Sequence, residues 1–224
     1  MPYAPTAKKL PNTFDRLNAC AVEHLKSHIV LASASPRRHH LLTAAGYDVV
    51  VNAMNADESW PLGDIEHGLL TICRRKIAPA APYRDPTVSA DTVVVLGTER
   101  FGKPRDEADA RAILSTLSGR EHTVMTGFCV RYGDQERAAV VATQVTFRVL
   151  SPRAIERYVA TGDPMDKAGA YGIQSKGGAL VEAIHGSYTN VMGLPLTEVC
   201  SAIEELVARA SSHDRVTAGR SRMS

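Results

Sequence analysis

Short apolar runs of strand type alternate with helical patterns along almost the whole chain, and this alternation restricts it to an α/β fold with helices flanking a sheet. Strands are predicted near Ile29–Ala32, Asp48–Asn52, Val88–Leu96, His122–Tyr132, Ala138–Leu150 and Ala179–Ile184. Helices are predicted over Pro36–Ala45, Asp64–Ala78, Asp106–Leu117, Pro152–Ala160 and Leu196–Ala210. Gly133-Asp134-Gln135-Glu136 lies between two of the strands and reads as a hairpin connection, so part of the sheet is antiparallel and the sheet is mixed. Ser35-Pro36 and Ser151-Pro152 each combine a favoured N-cap with a residue suited to the first helical position, while Gly119 and Gly162 follow helix ends.

With 224 residues, 44% of them hydrophobic and 22% charged, the chain suits one large domain or two intimate lobes. No apolar stretch approaches the roughly 20 residues needed to cross a bilayer, and the N-terminus lacks a signal-peptide core, so an intracellular, cytoplasmic protein is expected. Cys20, Cys73, Cys129 and Cys200 are scattered without Cys-x-x-Cys spacing, which favours buried or idle thiols over a zinc site. A net charge of +2 is too mild to imply nucleic-acid binding. Residues Met1–His28 read as an N-terminal extension, with Leu17, Val22 and Leu25 on a short helix. Residues 29–210 form the body, and the serine- and arginine-rich segment 211–224 reads as a disordered tail. Within the body, Thr161–Gly178 lacks periodicity and suits a functional loop.

Arg37 and Arg38 fall in the first turn of the helix that begins at Pro36. Cations are unfavourable at that positive end, and an anionic ligand such as polyphosphate explains a pair of them there. On the tetrapeptide alone, two solvated arginines explain it equally well. Asp91 interrupts an apolar strand and must be paired, metal-bound or protonated, unless it is simply hydrogen-bonded at a strand edge. Lys76 follows Leu69 and Ile72 at helical spacing, which turns it toward the buried face or leaves it snorkelling at its margin. Lys103 stands in Gly102-Lys103-Pro104 between a strand and a helix. The eight histidines show no metal-ligand spacing; His39 and His40 point in different directions on a helix.

Taken in order, Ser35-Pro36-Arg37-Arg38, Ser89-Ala90-Asp91-Thr92, Gly102-Lys103-Pro104, Asp166-Lys167-Ala168-Gly169-Ala170-Tyr171-Gly172-Ile173-Gln174 and Gly186-Ser187-Tyr188-Thr189-Asn190 resemble the Maf family of septum formation inhibitor-like nucleoside triphosphate pyrophosphatases. The resemblance runs from about Ile29 to about Leu206. It implies an elongated, two-lobed fold with a central cleft, related to the inosine triphosphate pyrophosphatases. It further implies cleavage between the α and β phosphates of dTTP, UTP or modified pyrimidine nucleotides, in a house-cleaning role. Asp91 then matches the proton acceptor. Ser33, Arg37, Arg38, Lys76, Lys103 and Lys167 match substrate-binding positions near the phosphates, and Arg38, Thr92 and Gln174 match those that mark the dTTP/UTP type. Glu58, with Asp57 beside it and Asp91, would hold magnesium or manganese, although a solvated acidic turn fits Asp57 nearly as well.

Two departures from the family pattern stand out. Arg75 precedes Lys76 where an acidic residue is common, and Ser175-Lys176-Gly177 follows Gln174 where a Gly-Leu-Gly type sequence is usual. The expected partner is a nucleoside triphosphate, with a homodimer left open and neither membrane nor nucleic acid expected. The family's older name points to a second reading, a nucleotide-sensing regulator that restrains cell division.

Overall fold

The computed structural model describes residues 27–78 and 83–220, so Cys20 and the helix expected around Leu17 to Leu25 lie outside the described residues. Seven strands form one sheet: β1 (His28–Leu31), β2 (Asp48–Val51), β3 (Tyr83–Leu96), β4 (Glu99–Phe101), β5 (Glu121–Gly133), β6 (Gln135–Phe147) and β7 (Val181–His185). Their order is β2-β1-β3-β5-β6-β7, with β4 added on β3. β1 pairs in parallel with β2 and β3, and every other pairing is antiparallel, so the sheet is mixed. The β5–β6 hairpin sets Tyr132 opposite Gln135, and Gly133 supplies the positive φ that its tight turn requires.

The helices are α1 (Pro36–Ala44), α2 (Ile65–Ile77), α3 (Glu107–Leu117), α4 (Pro152–Val159), α5 (Tyr188–Val191) and α6 (Leu196–Arg220). The side chains of Asp64, Asp106 and Ser151 accept the backbone N–H three residues on and fix where α2, α3 and α4 begin. Helix α6 continues through residues 211–220, within the segment that composition sets apart as a tail. Among the described residues no helix is long and apolar enough to cross a membrane.

One face of the sheet carries two apolar clusters. In the first, Leu41 and Leu42 of α1 and Val199, Ile203 and Leu206 of α6 pack on Ile29, Leu31, Val88 and Val130. In the second, Leu114 and Leu117 of α3 and Ile155 and Val159 of α4 pack on Val94, Val124 and Phe147. A polar layer separates them: Thr92 Oγ1 lies 3.0 Å from Thr126 Oγ1, Thr126 donates to the Asn190 carbonyl, and Asn190 Nδ2 reaches the Val124 carbonyl and Thr143 Oγ1. Thr126, Thr143 and Asn190 are buried, so these bonds offset the cost of keeping polar groups from water. The two clusters are the two lobes, and the cleft opens where they part. Helix α2 covers the opposite face of the sheet through Leu69, Cys73 and Ile77.

Candidate functional site

The cleft originates in a gap along β3. One edge of that strand is paired with β5 without a break from Thr87 to Val95, while the other meets β1 only at Thr87 and Val88 and β4 only from Val94 onward. Between Val88 and Val94 this edge has no strand partner among the described residues. β1 leaves the sheet here, its chain turning through Ala32–Ser35 into α1, and a crevice forms outside the carboxyl end of the strand, where α/β sheets commonly bind ligands. Asp91 and Thr92 sit in the gap.

Strand alternation sends these neighbours to opposite faces. Asp91 points toward α2, as does Ser89, whose hydroxyl donates to the Cys73 carbonyl. Gly127, opposite Asp91 on β5, lets α2 approach closely, since a Cβ there would lie 2.8 Å from Leu69 Cβ. That approach sets Lys76 against the strand. Its ammonium donates to Asp91 Oδ1 at 2.7 Å, reaches the Ala90 carbonyl at 3.4 Å and pairs with Glu58 Oε1 at 3.1 Å. Lys76 is thus a buried cation between two carboxylates, not a snorkelling surface lysine. Beneath them the Cys73 thiol donates to the Gly127 carbonyl, and burial together with the Asp91 charge pushes it up to about 12, so it stays protonated. Asp57 takes a different part: it accepts the Ser59 amide and pairs with Arg75, the basic residue that precedes Lys76.

Thr92 points the other way. Arg38, buried, donates through Nε to the Gly193 carbonyl at 2.8 Å, through Nη1 to Ser33 Oγ and through Nη2 to Thr92 Oγ1. Burial lowers its pKa, partly countered by the charge of Asp91. Arg38 therefore ties α1, β3 and the Gly193 turn together from within the protein. Ser35 has the extended backbone of an N-cap, but its side chain makes no capping bond. The first turn of α1, with no acidic residue, lines the cleft, and the positive end of a helix favours an anion there.

Across the cleft the predicted loop is built of short 3₁₀ turns at Asp163–Asp166, Ala168–Ala170 and Lys176–Leu180. Asp163 Oδ2 accepts the hydroxyls of Tyr158 and Ser175, and Lys167 Nζ donates to the Asp163 carbonyl and to Asp166 Oδ1, both at 2.6 Å. Burial alone would raise the Asp163 carboxyl, but Ser175, Tyr158 and Lys167 together hold it below the ordinary value. Asp166 behaves similarly, with Lys167 and Arg37 overcoming the effect of burial. Gly169 and its neighbours approach β3 so closely that a Cβ at Gly169, whose φ is +69°, would meet Val94 at 2.5 Å.

The cleft has a volume of about 360 Å³ and brings together Ser33, Arg37, Arg38, Glu58, Lys76, Asp91, Thr92, Lys103, Lys167 and Gln174, but not Asp57. Lys103 and Gln174 are exposed on its wall. A side pocket continues from it past Glu58 and Asp91 to Trp60 and Arg100, whose guanidinium lies 4.1 Å from the indole ring centre. Trp60 and Arg100 stand outside every segment marked in the sequence, whereas Asp163 and Asp166 stand inside Thr161–Gly178 but without a role assigned to either. Among the described residues no three His, Cys, Asp or Glu side chains gather as a metal site. Two carboxylates sharing one lysine still suit magnesium or manganese, which bind through one or two carboxylates plus substrate phosphates.

A family model for Maf-like proteins matches residues 28–206. The chain belongs to the Maf-like family. Its relatives include the dTTP/UTP pyrophosphatase of Anaeromyxobacter dehalogenans, 46% identical over 179 residues that cover 78% of this chain and 92% of that one. Those of Yersinia pestis, at 44% identity over 81% and 94% of the two chains, and Thermococcus kodakarensis, at 42% over 80% and 96%, are similarly close. Among solved structures the Staphylococcus aureus Ham1 protein superposes at a TM-score of 0.40 with 14% identity, covering 54% of this chain and 72% of that chain. That likeness is too loose to support an argument. The Maf-like segment begins at His28 and takes in the whole cleft, from Ser33 to Gln174.

Proposed function

We propose that this Maf-like protein hydrolyses the α–β phosphoanhydride of dTTP, UTP or related pyrimidine nucleotides, giving a monophosphate and pyrophosphate, as a cytoplasmic house-cleaning enzyme. The observation that carries the reading is the Asp91–Lys76 pair in the strand gap, in a cleft also lined by the first turn of α1. Phosphoanhydride hydrolysis needs a positioned water, a base to take its proton and positive charge against the developing anion. Lys76 engages one oxygen of Asp91 and leaves the other for water. Arg37, Lys103 and Lys167 meet the phosphates, and Arg38 acts from behind, holding Thr92 and the Gly193 turn in place. Gln174, with an amide that both donates and accepts, pairs with the carbonyl and imino edge of uracil or thymine. Glu58 and Asp91 would hold a magnesium or manganese ion, which offsets phosphate charge when bound. The relatives named dTTP/UTP pyrophosphatases support this choice of nucleotide.

The test is inorganic product release across a nucleotide panel, with and without added magnesium or manganese. Pyrophosphate from dTTP and UTP, dependent on the cation, is expected. Orthophosphate would move the cut to the terminal phosphate and overturn the α–β assignment, and turnover indifferent to chelator would remove the metal from the reading.

A further inference from the structure

Five cations and three carboxylates line the cleft. Two of those carboxylates are committed to Lys76, and the third, Asp166, bridges two cations by itself. Its Oδ2 accepts Arg37 Nη1 at 2.7 Å and its Oδ1 accepts Lys167 Nζ at 2.6 Å, while its backbone carbonyl accepts Arg37 Nη2 at 3.2 Å and would keep Arg37 nearby when the carboxylate leaves. The bridge spans the cleft: Arg37 belongs to α1 in the first lobe, while Met165 and Ala168, on either side of Asp166 and Lys167, pack in the second. One anionic group thus sits between two cations from opposite walls, in the arrangement a phosphate would take.

We infer that Asp166 is a displaceable stand-in for a substrate phosphate, which gives way when nucleotide enters and competes for Arg37 and Lys167 when pyrophosphate must leave. Three observations carry this beyond a static ion pair. The Asp166 side chain is 61% exposed, so no packing opposes its turning into solvent. Lys167 does not depend on it, because the Asp163 carbonyl at 2.6 Å and Asp163 Oδ1 at 3.2 Å hold the ammonium in place. Asp163, at 17% exposure and bonded to Tyr158 and Ser175, is the fixed member of the acidic pair and Asp166 the free one. The inference rests on the polyphosphate reading of the cleft and adds to it a residue that opposes binding.

Asp166→Asn removes the charge and keeps the shape. Calorimetric titration of the full chain with inorganic pyrophosphate, which requires no turnover, is expected to show affinity about 3- to 10-fold tighter than wild type, the effect of losing one partly exposed competing charge. Pyrophosphate should also become the stronger product inhibitor of UTP hydrolysis. Unchanged or weaker affinity overturns the inference, since a carboxylate that merely positioned Arg37 and Lys167 would weaken binding on removal. A crystal structure of the wild-type protein with pyrophosphate gives an independent reading: the carboxylate contact between Arg37 Nη1 and Asp166 Oδ2 should be lost. A retained contact beside bound pyrophosphate, or pyrophosphate absent from the cleft, overturns the inference too. Failure of the enzymatic reading would show itself differently, as wild-type protein that releases pyrophosphate from none of the triphosphates.

Discussion

A carboxylate that shares its lysine with a second acid has two ways to matter, and Asp91→Asn separates them. The amide keeps the shape but accepts no proton, so the catalytic rate should fall about 10²- to 10⁴-fold with nucleotide affinity largely kept. It also takes one charged partner from a buried ammonium, which should lower stability by about 1–3 kcal/mol in denaturant titration. Near-normal turnover by a folded variant would remove Asp91 as the base. Gln174→Ala should reduce discrimination of UTP over CTP by about 1–3 kcal/mol, read as the ratio of kcat/KM values. Equal loss with both nucleotides would mean that Gln174 shapes the loop. At this scale the sequence marked the residues that contact the cleft, because charges in apolar runs or glycine-flanked loops are conspicuous. It assigned no role to Asp166, though it marked the segment, and it did not mark Trp60; their partners are distant along the chain, Arg37 lying 129 residues from Asp166. Nor could it reveal that Arg38 spends its donors inside the protein while Arg37 faces the cleft.

Helix α2 brings Lys76 to β3 only because Gly127 admits it. Gly127→Ala would set a Cβ 2.8 Å from Leu69 Cβ and 3.2 Å from the Leu69 carbonyl carbon, so the helix must move away from the strand. Overpacking of this kind costs about 1–3 kcal/mol. The expected result is a lower Tm together with a fall in kcat, since the Lys76–Asp91 bond stretches with the helix; an unaltered kcat would show that α2 tolerates the shift without moving its lysine. The main strands and helices were legible because they are long enough to display a period, and the hairpin because Gly133 announces it. β4 and α5, at three and four residues, are too short to show one. The gap in β3 was invisible as well, because a strand's sequence records what its faces contact and not where its edge lacks a neighbour.

For the molecule as a whole, His122 links stability to pH. It is buried against Phe147, with Nε2 3.0 Å from the Tyr171 hydroxyl, and burial lowers its pKa from 6.5 to about 4. As pH falls below 6.5 the unfolded chain takes up the proton first, so stability that is fully present above 6.5 is lost progressively down to about 4. The loss approaches about 3 kcal/mol. Denaturant titration at pH 7 and pH 5 should show this slope in the wild type and a flatter profile in His122→Asn; parallel profiles would assign the dependence to other groups. The two-lobed plan came from the family motifs, whereas the layer that divides the lobes, Thr126, Thr143 and Asn190, reads in sequence as scattered polar residues. Trp60 has a further consequence. It is the chain's single tryptophan, and it lies against Arg100 in the pocket that opens beside Glu58 and Asp91. All indole fluorescence of the protein therefore originates in the side pocket next to Glu58 and Asp91, and nucleotide binding that disturbs this pocket is expected to change the colour or intensity of that emission without a label.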